Sequence, residues 1–245
     1  MESVLIDSSG GALAAVLHFP ERIPAPVIVC CHGLLSRKDS PKYLLIAERF
    51  TECGFAVVRF DFSGSGQSAA RMERSLLGSR MRDLDAVLDY VRRAAWCSGQ
   101  IGLLGSSLGG YLCLLEADSG RAGVEAVVCW ATPFDLDGIR RRLEEERTFE
   151  GIFPAGLLLG SPPNLRELKA VRGVLLVHGQ QDELVDWRQA LEIYRRAGDP
   201  RHLLIMKEGD HRFLDPHCRE LAVRWSLHWF IQRGFPATRN PMYPP

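Results

Sequence analysis

A serine framed by glycines stands at Gly105-Ser106-Ser107-Leu108-Gly109. This G-x-S-x-G spacing lifts its central residue, Ser107, out of a sharp strand-to-helix turn, and the glycines remove β-carbons that would clash with it. The turn falls between a strand expected over Ile101–Leu104 and a helix expected over Leu108–Ala117. An ordinary Gly-rich connection would look the same, so Ser107 needs partners to mean anything. A hydroxyl is a poor nucleophile without a neutral imidazole to take its proton.

Seven histidines are present, and His211 is the one in a polar loop, Glu208-Gly209-Asp210-His211-Arg212-Phe213, directly after the last expected strand. Loops at the carboxyl ends of parallel strands are where α/β proteins place their sites. His178 also ends a strand, but Gly179 and the turn beyond it suggest packing, and His18, His202, His217 and His228 fall in strand or helix positions. A carboxylate must hold the imidazole's tautomer. Asp182, in His178-Gly179-Gln180-Gln181-Asp182-Glu183, is the candidate; Glu183 competes, and a helix N-cap is the plainer reading of Asp182. An oxyanion needs two backbone N–H groups. Leu108, opening its helix, supplies one, and Leu34, in His32-Gly33-Leu34-Leu35, is assigned the other; Gly33 lets the backbone turn inward and His32 reads as a scaffold for the loop.

The elements that must position these residues alternate. Val4–Ile6 and Ala12–Phe19 read as a hairpin, followed by strands at Val27–Cys31, Ala56–Phe60, Ile101–Leu104, Val124–Trp130, Val174–His178 and His202–Met206. Helical spacing covers Tyr43–Cys53, Leu76–Ala95, Leu108–Ala117, Trp187–Ala197 and Pro216–Arg233. Eight strands and interleaved helices predict a mostly parallel sheet covered on both faces. One α/β domain over residues 1–235 is expected, interrupted by an insertion at about 133–165 and followed by a loose Pro-rich tail at 236–245.

The bulk chemistry narrows the partners. Thirty Lys plus Arg balance thirty Asp plus Glu over 245 residues, so no net charge draws the chain to nucleic acid or to an anionic membrane. The longest apolar runs, such as Val124–Trp130, are far shorter than a membrane span, and Met1–Asp7 does not read as a signal peptide. Seven cysteines without a CxxC pair read as reduced and largely buried, which points to the cytoplasm and away from zinc. Gly64-Ser65-Gly66-Gln67-Ser68-Ala69 fits a dinucleotide fingerprint, but a strand–helix pair already precedes it, so that reading is set aside. No P-loop pattern occurs.

His32-Gly33, Asp61-Phe62-Ser63-Gly64-Ser65-Gly66-Gln67-Ser68, Gly105–Gly109, His178-Gly179-Gln180-Gln181-Asp182 and Gly209-Asp210-His211 follow the third, fourth, fifth, seventh and eighth expected strands in order. Together they resemble the α/β-hydrolase superfamily from about Val4 to Arg233, and most of all its small intracellular esterases of the cinnamoyl/feruloyl esterase and serine-aminopeptidase-like group. Ser106 departs from that group, which commonly has His before the nucleophile. The resemblance implies an α/β-hydrolase fold with a short lid insertion, a Ser107–His211–Asp182 triad and an oxyanion hole at Leu34 and Leu108.

In the insertion, Arg140–Arg142 precede Glu144–Glu146 as a solvated helix face would, whereas Ile152–Leu159 is apolar. Phe153 and Leu157 from that run, with Leu35 and Phe134, are expected to line an acyl pocket for a modest, uncharged group. The reading is a cytoplasmic serine hydrolase of small to medium carboxylic esters working through an acyl-enzyme. It needs no cofactor or metal, and its partner is a small-molecule ester, with a homodimer left open. An aminopeptidase-like amide hydrolase and a catalytically silent binding protein are the alternatives.

Overall fold

The computed structural model describes residues 1–71, 76–120, 123–137, 165, 168 and 171–238. Eight strands form one sheet: β1 (Glu2–Ser8), β2 (Gly11–His18), β3 (Ala25–Cys31), β4 (Ala56–Phe60), β5 (Cys97–Ser106), β6 (Val124–Trp130), β7 (Val174–Gly179) and β8 (Arg201–Met206). Their order is β1-β2-β4-β3-β5-β6-β7-β8, antiparallel at the β1–β2 and β2–β4 pairs and parallel elsewhere. Among the described residues five helices cover it: α1 (Pro41–Glu52), α2 (Leu76–Arg93), α3 (Leu108–Ser119), α4 (Arg188–Arg196) and α5 (Pro216–Gln232).

The pleat sorts the core into two layers. In β3, Val27, Val29 and Cys31 face a cluster with Leu84, Val87, Leu88 and Val91 of α2 and Leu112 of α3. Ile28 and Cys30 face the opposite cluster with Tyr43, Ile46 and Phe50 of α1 and Val223 and Phe230 of α5. Each such aliphatic or aromatic side chain removed from water stabilises the fold by about 1.5–3 kcal/mol, before the entropy of ordering it. Helix starts follow local rules. Pro41 opens α1, and Asp215 caps α5 by accepting from Cys218 N–H at 2.7 Å, with Pro216 in its first turn.

One expectation changes. Strand β5 begins at Cys97, four residues before the apolar run, because Ala25 pairs with Cys97 although Ser98 and Gly99 face solvent. Ahead of the tail Phe235 is buried, and Thr238 N–H donates to the Cys53 carbonyl at 3.0 Å, folding 235–238 onto the end of α1. Of the insertion only Pro133–Asp137 and Leu165 are described; the Arg140–Glu146 and Ile152–Leu159 runs, with Phe153 and Leu157, lie outside the described residues. All seven cysteines are free thiols, six of them buried. No helix among the described residues is long and apolar enough to cross a membrane.

Candidate active site

Ser107 is the single residue between β5 and α3, with φ 55° and ψ −124°. That left-handed conformation is costly for a residue with a β-carbon and persists only where the surroundings enforce it. Here they do. Ser107 N–H donates to the Trp130 carbonyl of β6 at 2.8 Å, and its own carbonyl accepts from Tyr111 N–H of α3 at 3.1 Å. A β-carbon on Gly105 would collide with Gly109, and one on Gly109 with the Cys31 carbonyl. Both glycines are therefore required for the turn to close.

Asp182 follows β7 and His211 follows β8. His211 Nδ1 lies 3.0 Å and 2.9 Å from the two Asp182 carboxylate oxygens. The acid that meets the ring is Asp182; Glu183 instead accepts from the His211 backbone N–H at 3.3 Å. Asp182 also accepts from Leu184 N–H at 2.9 Å and Val185 N–H at 2.7 Å, which ties the loop after β7; it does not cap α4, which begins only at Arg188 after Trp187. His178, expected only to pack, is fully buried and brings Nε2 to 3.1 Å from Asp182 and 2.9 Å from the Val185 carbonyl. An atom facing two acceptors must carry the hydrogen. Burial pushes the Asp182 carboxyl up, but hydrogen bonds from His178 and His211 outweigh it and hold it well below the usual carboxylate range.

The register sets Ser107 at the same sheet edge as this pair. Ser106 pairs with Trp130, Trp130 with Val177, and His178 with Ile205, so the three loops leave the same sheet edge. Strand spacing puts the ends of β5 and β7 roughly 10 Å apart, a gap an imidazole arriving from a third loop can bridge. Phe213, two residues after His211 and also at positive φ, turns its ring onto Trp130 with centroids 5.0 Å apart. The histidine loop is thereby packed against the residue whose carbonyl holds Ser107.

On the other side of Ser107 stands the loop after β3. A β-carbon on Gly33 would touch Ser107 Cβ at 3.3 Å, so the two backbones run side by side. His32 Nδ1 reaches the Gly33 carbonyl at 2.7 Å and its Nε2 accepts from Phe62 N–H at 3.1 Å. Burial first, and then the Arg80 cation, push this imidazole down to about 3, consistent with a scaffold rather than a proton carrier. Leu34 is half-buried against the core, Leu108 is buried at the start of α3, and Leu35 is 52% exposed. Phe134 is buried with the Arg196 guanidinium 4.5 Å from its ring centroid.

The segment that fitted a dinucleotide fingerprint has another use. Buried Asp61 accepts from Lys38 N–H at 2.7 Å, Gln67 N–H at 2.9 Å and Lys38 Nζ at 3.1 Å. Gly66, at φ 54°, presses on that carboxylate with no room for a β-carbon. Reasoning from sequence missed His178 as a partner of Asp182, though its spacing four residues before the acid was a usable signal. It also missed Lys42, whose Nζ donates to Ser106 Oγ at 2.8 Å, and Arg80, which sits behind Gly33.

The sheet order and the loop cluster at its edge define an α/β hydrolase. The chain matches the family described as serine aminopeptidase, S33 over residues 22–154, more than half of its 245, and belongs to that family. It is 28% identical over 215 residues to the mitochondrial palmitoyl-protein thioesterase ABHD10 of Mus musculus, covering 76% of this chain and 69% of that protein. The solved structure of mouse alpha/beta hydrolase domain-containing protein 10 superposes with TM-score 0.77 at 24% identity, covering 95% of this chain and 99% of that one. Est1E from Butyrivibrio proteoclasticus with ferulic acid bound gives TM-score 0.72 at 22% identity, covering 94% and 98%.

Proposed function

We propose that this chain is a serine hydrolase of carboxylic esters with small to medium acyl groups, thioesters included. The observation that carries the reading is the grip of Asp182 on His211. With Nδ1 donating to the carboxylate, the neutral ring has its lone pair on Nε2, free to accept a proton from Ser107. Ser107 Oγ attacks the acyl carbon as its proton passes to Nε2. The carbonyl electrons move onto oxygen, which the N–H groups of Leu34 and Leu108 stabilise. The imidazolium, balanced by Asp182, then protonates the departing alkoxide or thiolate. Water repeats the sequence on the acyl-enzyme and releases the acid.

The names of similar proteins, a palmitoyl-protein thioesterase and a ferulic-acid-bound esterase, support acyl transfer from esters. Leu35, exposed beside the site, and Phe134 are offered as pocket residues, with Phe153 and Leu157 from the insertion. Seven free thiols fit a reducing compartment, in this reading the cytoplasm.

The test is labelling by a fluorophosphonate probe beside turnover of a short p-nitrophenyl ester. Wild type is expected to label and turn over, and Ser107→Ala to do neither; equal activity in that variant refutes the assignment. The family description favours one second reading, amide cleavage at a free amino terminus. A panel of dipeptide amides run against the esters separates the two by kcat/KM.

A further inference from the structure

Arg80 is one of the largest fully buried side chains, 1% exposed on α2. A guanidinium removed from water is expensive unless it is paired and hydrogen-bonded. Asp83, one turn along α2, is the carboxylate whose charge favours the cation, but among the described residues no carboxylate is within ion-pair distance of it, and its Nε finds no acceptor. Its hydrogen bonds go to the loop after β3. Nη1 donates to the Gly33 carbonyl at 3.3 Å, and Nη2 to the Leu34 carbonyl at 3.1 Å and to Ser65 Oγ at 3.3 Å. The Phe62 ring backs the cation at 5.0 Å.

In a trans peptide the carbonyl and the following N–H point in opposite directions. Fixing the Gly33 carbonyl on Arg80 and on His32 therefore fixes the Leu34 N–H away from both. Fixing the Leu34 carbonyl locks the next peptide plane in the same sense. Gly33 runs beside Ser107, so the freed donor faces the side of the loop where an oxyanion would form. We propose that Arg80 is a positioning residue that aims the oxyanion donor by holding two consecutive carbonyls from behind. This rests on the serine-hydrolase reading above. Arg80 touches no reacting atom and acts through the peptide planes. A lysine would keep the charge but not the fork that spans two carbonyls.

The test compares wild type, Arg80→Met and Arg80→Lys for kcat and KM on a p-nitrophenyl ester. It also follows the adduct with a trifluoromethyl ketone carrying ¹³C at its carbonyl. Ser107 Oγ bonds to that carbon as its proton passes to His211 Nε2, the carbonyl electrons move to oxygen, and the resulting oxyanion titrates visibly in the ¹³C spectrum. The expected result is a kcat lower by about ten- to hundredfold with KM within about threefold, and a hemiketal roughly tenfold or more less acidic than in wild type. A merely structural role would lower the folded fraction without moving that titration. If Arg80→Met does not fold, Arg80→Lys carries the comparison. Wild-type kcat and hemiketal titration in either folded variant overturn the inference. Absence of any adduct in wild type instead overturns the serine-hydrolase reading, so the two failures are distinguishable.

Discussion

Lys42 Nζ donates to Ser106 Oγ at 2.8 Å in the interior, one residue before the strained turn, and stands 5.9 Å from the centroid of Phe213 in the histidine loop. One buried ammonium thus ties α1 to both sides of the site. Burial pushes it down to about 8, with Asp210 and Asp182 opposing that change and Arg212 and Arg219 adding to it. An unfolded lysine titrates near 10.4, so between about pH 8 and 10.4 the unfolded chain holds a proton that the folded chain has released. Stability relative to Lys42→Met should therefore rise across that window and stay flat, at its least favourable, below it. Paired thermal melts from pH 6 to pH 10 measure the difference; a wild-type stability that falls relative to Lys42→Met on the alkaline side contradicts it.

Asp182 has the opposite sign. Its carboxyl is held well below the ordinary range, so its contribution is present above about pH 3.9, the unfolded value, and is lost as pH falls through the folded value. The stability advantage of wild type over Asp182→Asn should shrink in acid. At neutral pH the same variant should lose about 10³- to 10⁴-fold in kcat on the p-nitrophenyl ester, because an amide can present its NH₂ to the ring and favour the wrong tautomer.

The backbone at Ser107 makes a prediction about stability alone. With φ 55° and ψ −124°, glycine fits where alanine is strained. Ser107→Gly should be more stable than Ser107→Ala by about 1 kcal/mol, roughly 2–4 °C in Tm for a chain of this size. Both should be inactive. Equal melting temperatures would mean that the turn carries no strain.

Gly109 has no freedom of that kind. A methyl there would meet the Cys31 backbone and lie 2.7 Å from the His32 carbonyl oxygen. Gly109→Ala should cost about 1–3 kcal/mol or more and displace the loop that carries Leu34. Denaturant melts should show the loss, and the folded fraction should label more slowly with fluorophosphonate.

Most of the sheet was legible because buried parallel strands read as short apolar runs: Ala56–Phe60 and Val124–Trp130 match their observed bounds. The start of β5 was not, since Ser98, Gly99 and Gln100 carry no hydrophobic signal, and the strand reaches back across them only because Cys97 pairs with Ala25. At the site, the placement of Ser107, Asp182 and His211 was readable because loop position and residue type coincide. His178 was read as packing because its role depends on which way one ring nitrogen points. Arg80 and Lys42 were invisible for a plainer reason. In a helical pattern a charged residue reads as solvent-facing, and Arg80 is followed closely by Arg82 on the same helix. Only the fold reveals that these two turn inward, where backbone carbonyls and a serine hydroxyl receive them.

The caged carboxylate of Asp61 has a consequence for ligands. Glycine turns after a strand attract phosphate because their amides converge on an empty hollow. In this chain the hollow comes with its own tenant, a side-chain anion that has taken up the Gln67 amide along with the Lys38 amide and ammonium. A nucleotide arriving there would meet a like charge already seated. The turn reads as a receptor and behaves as a knot, fastening the lip that carries Leu34 to the strand beside it.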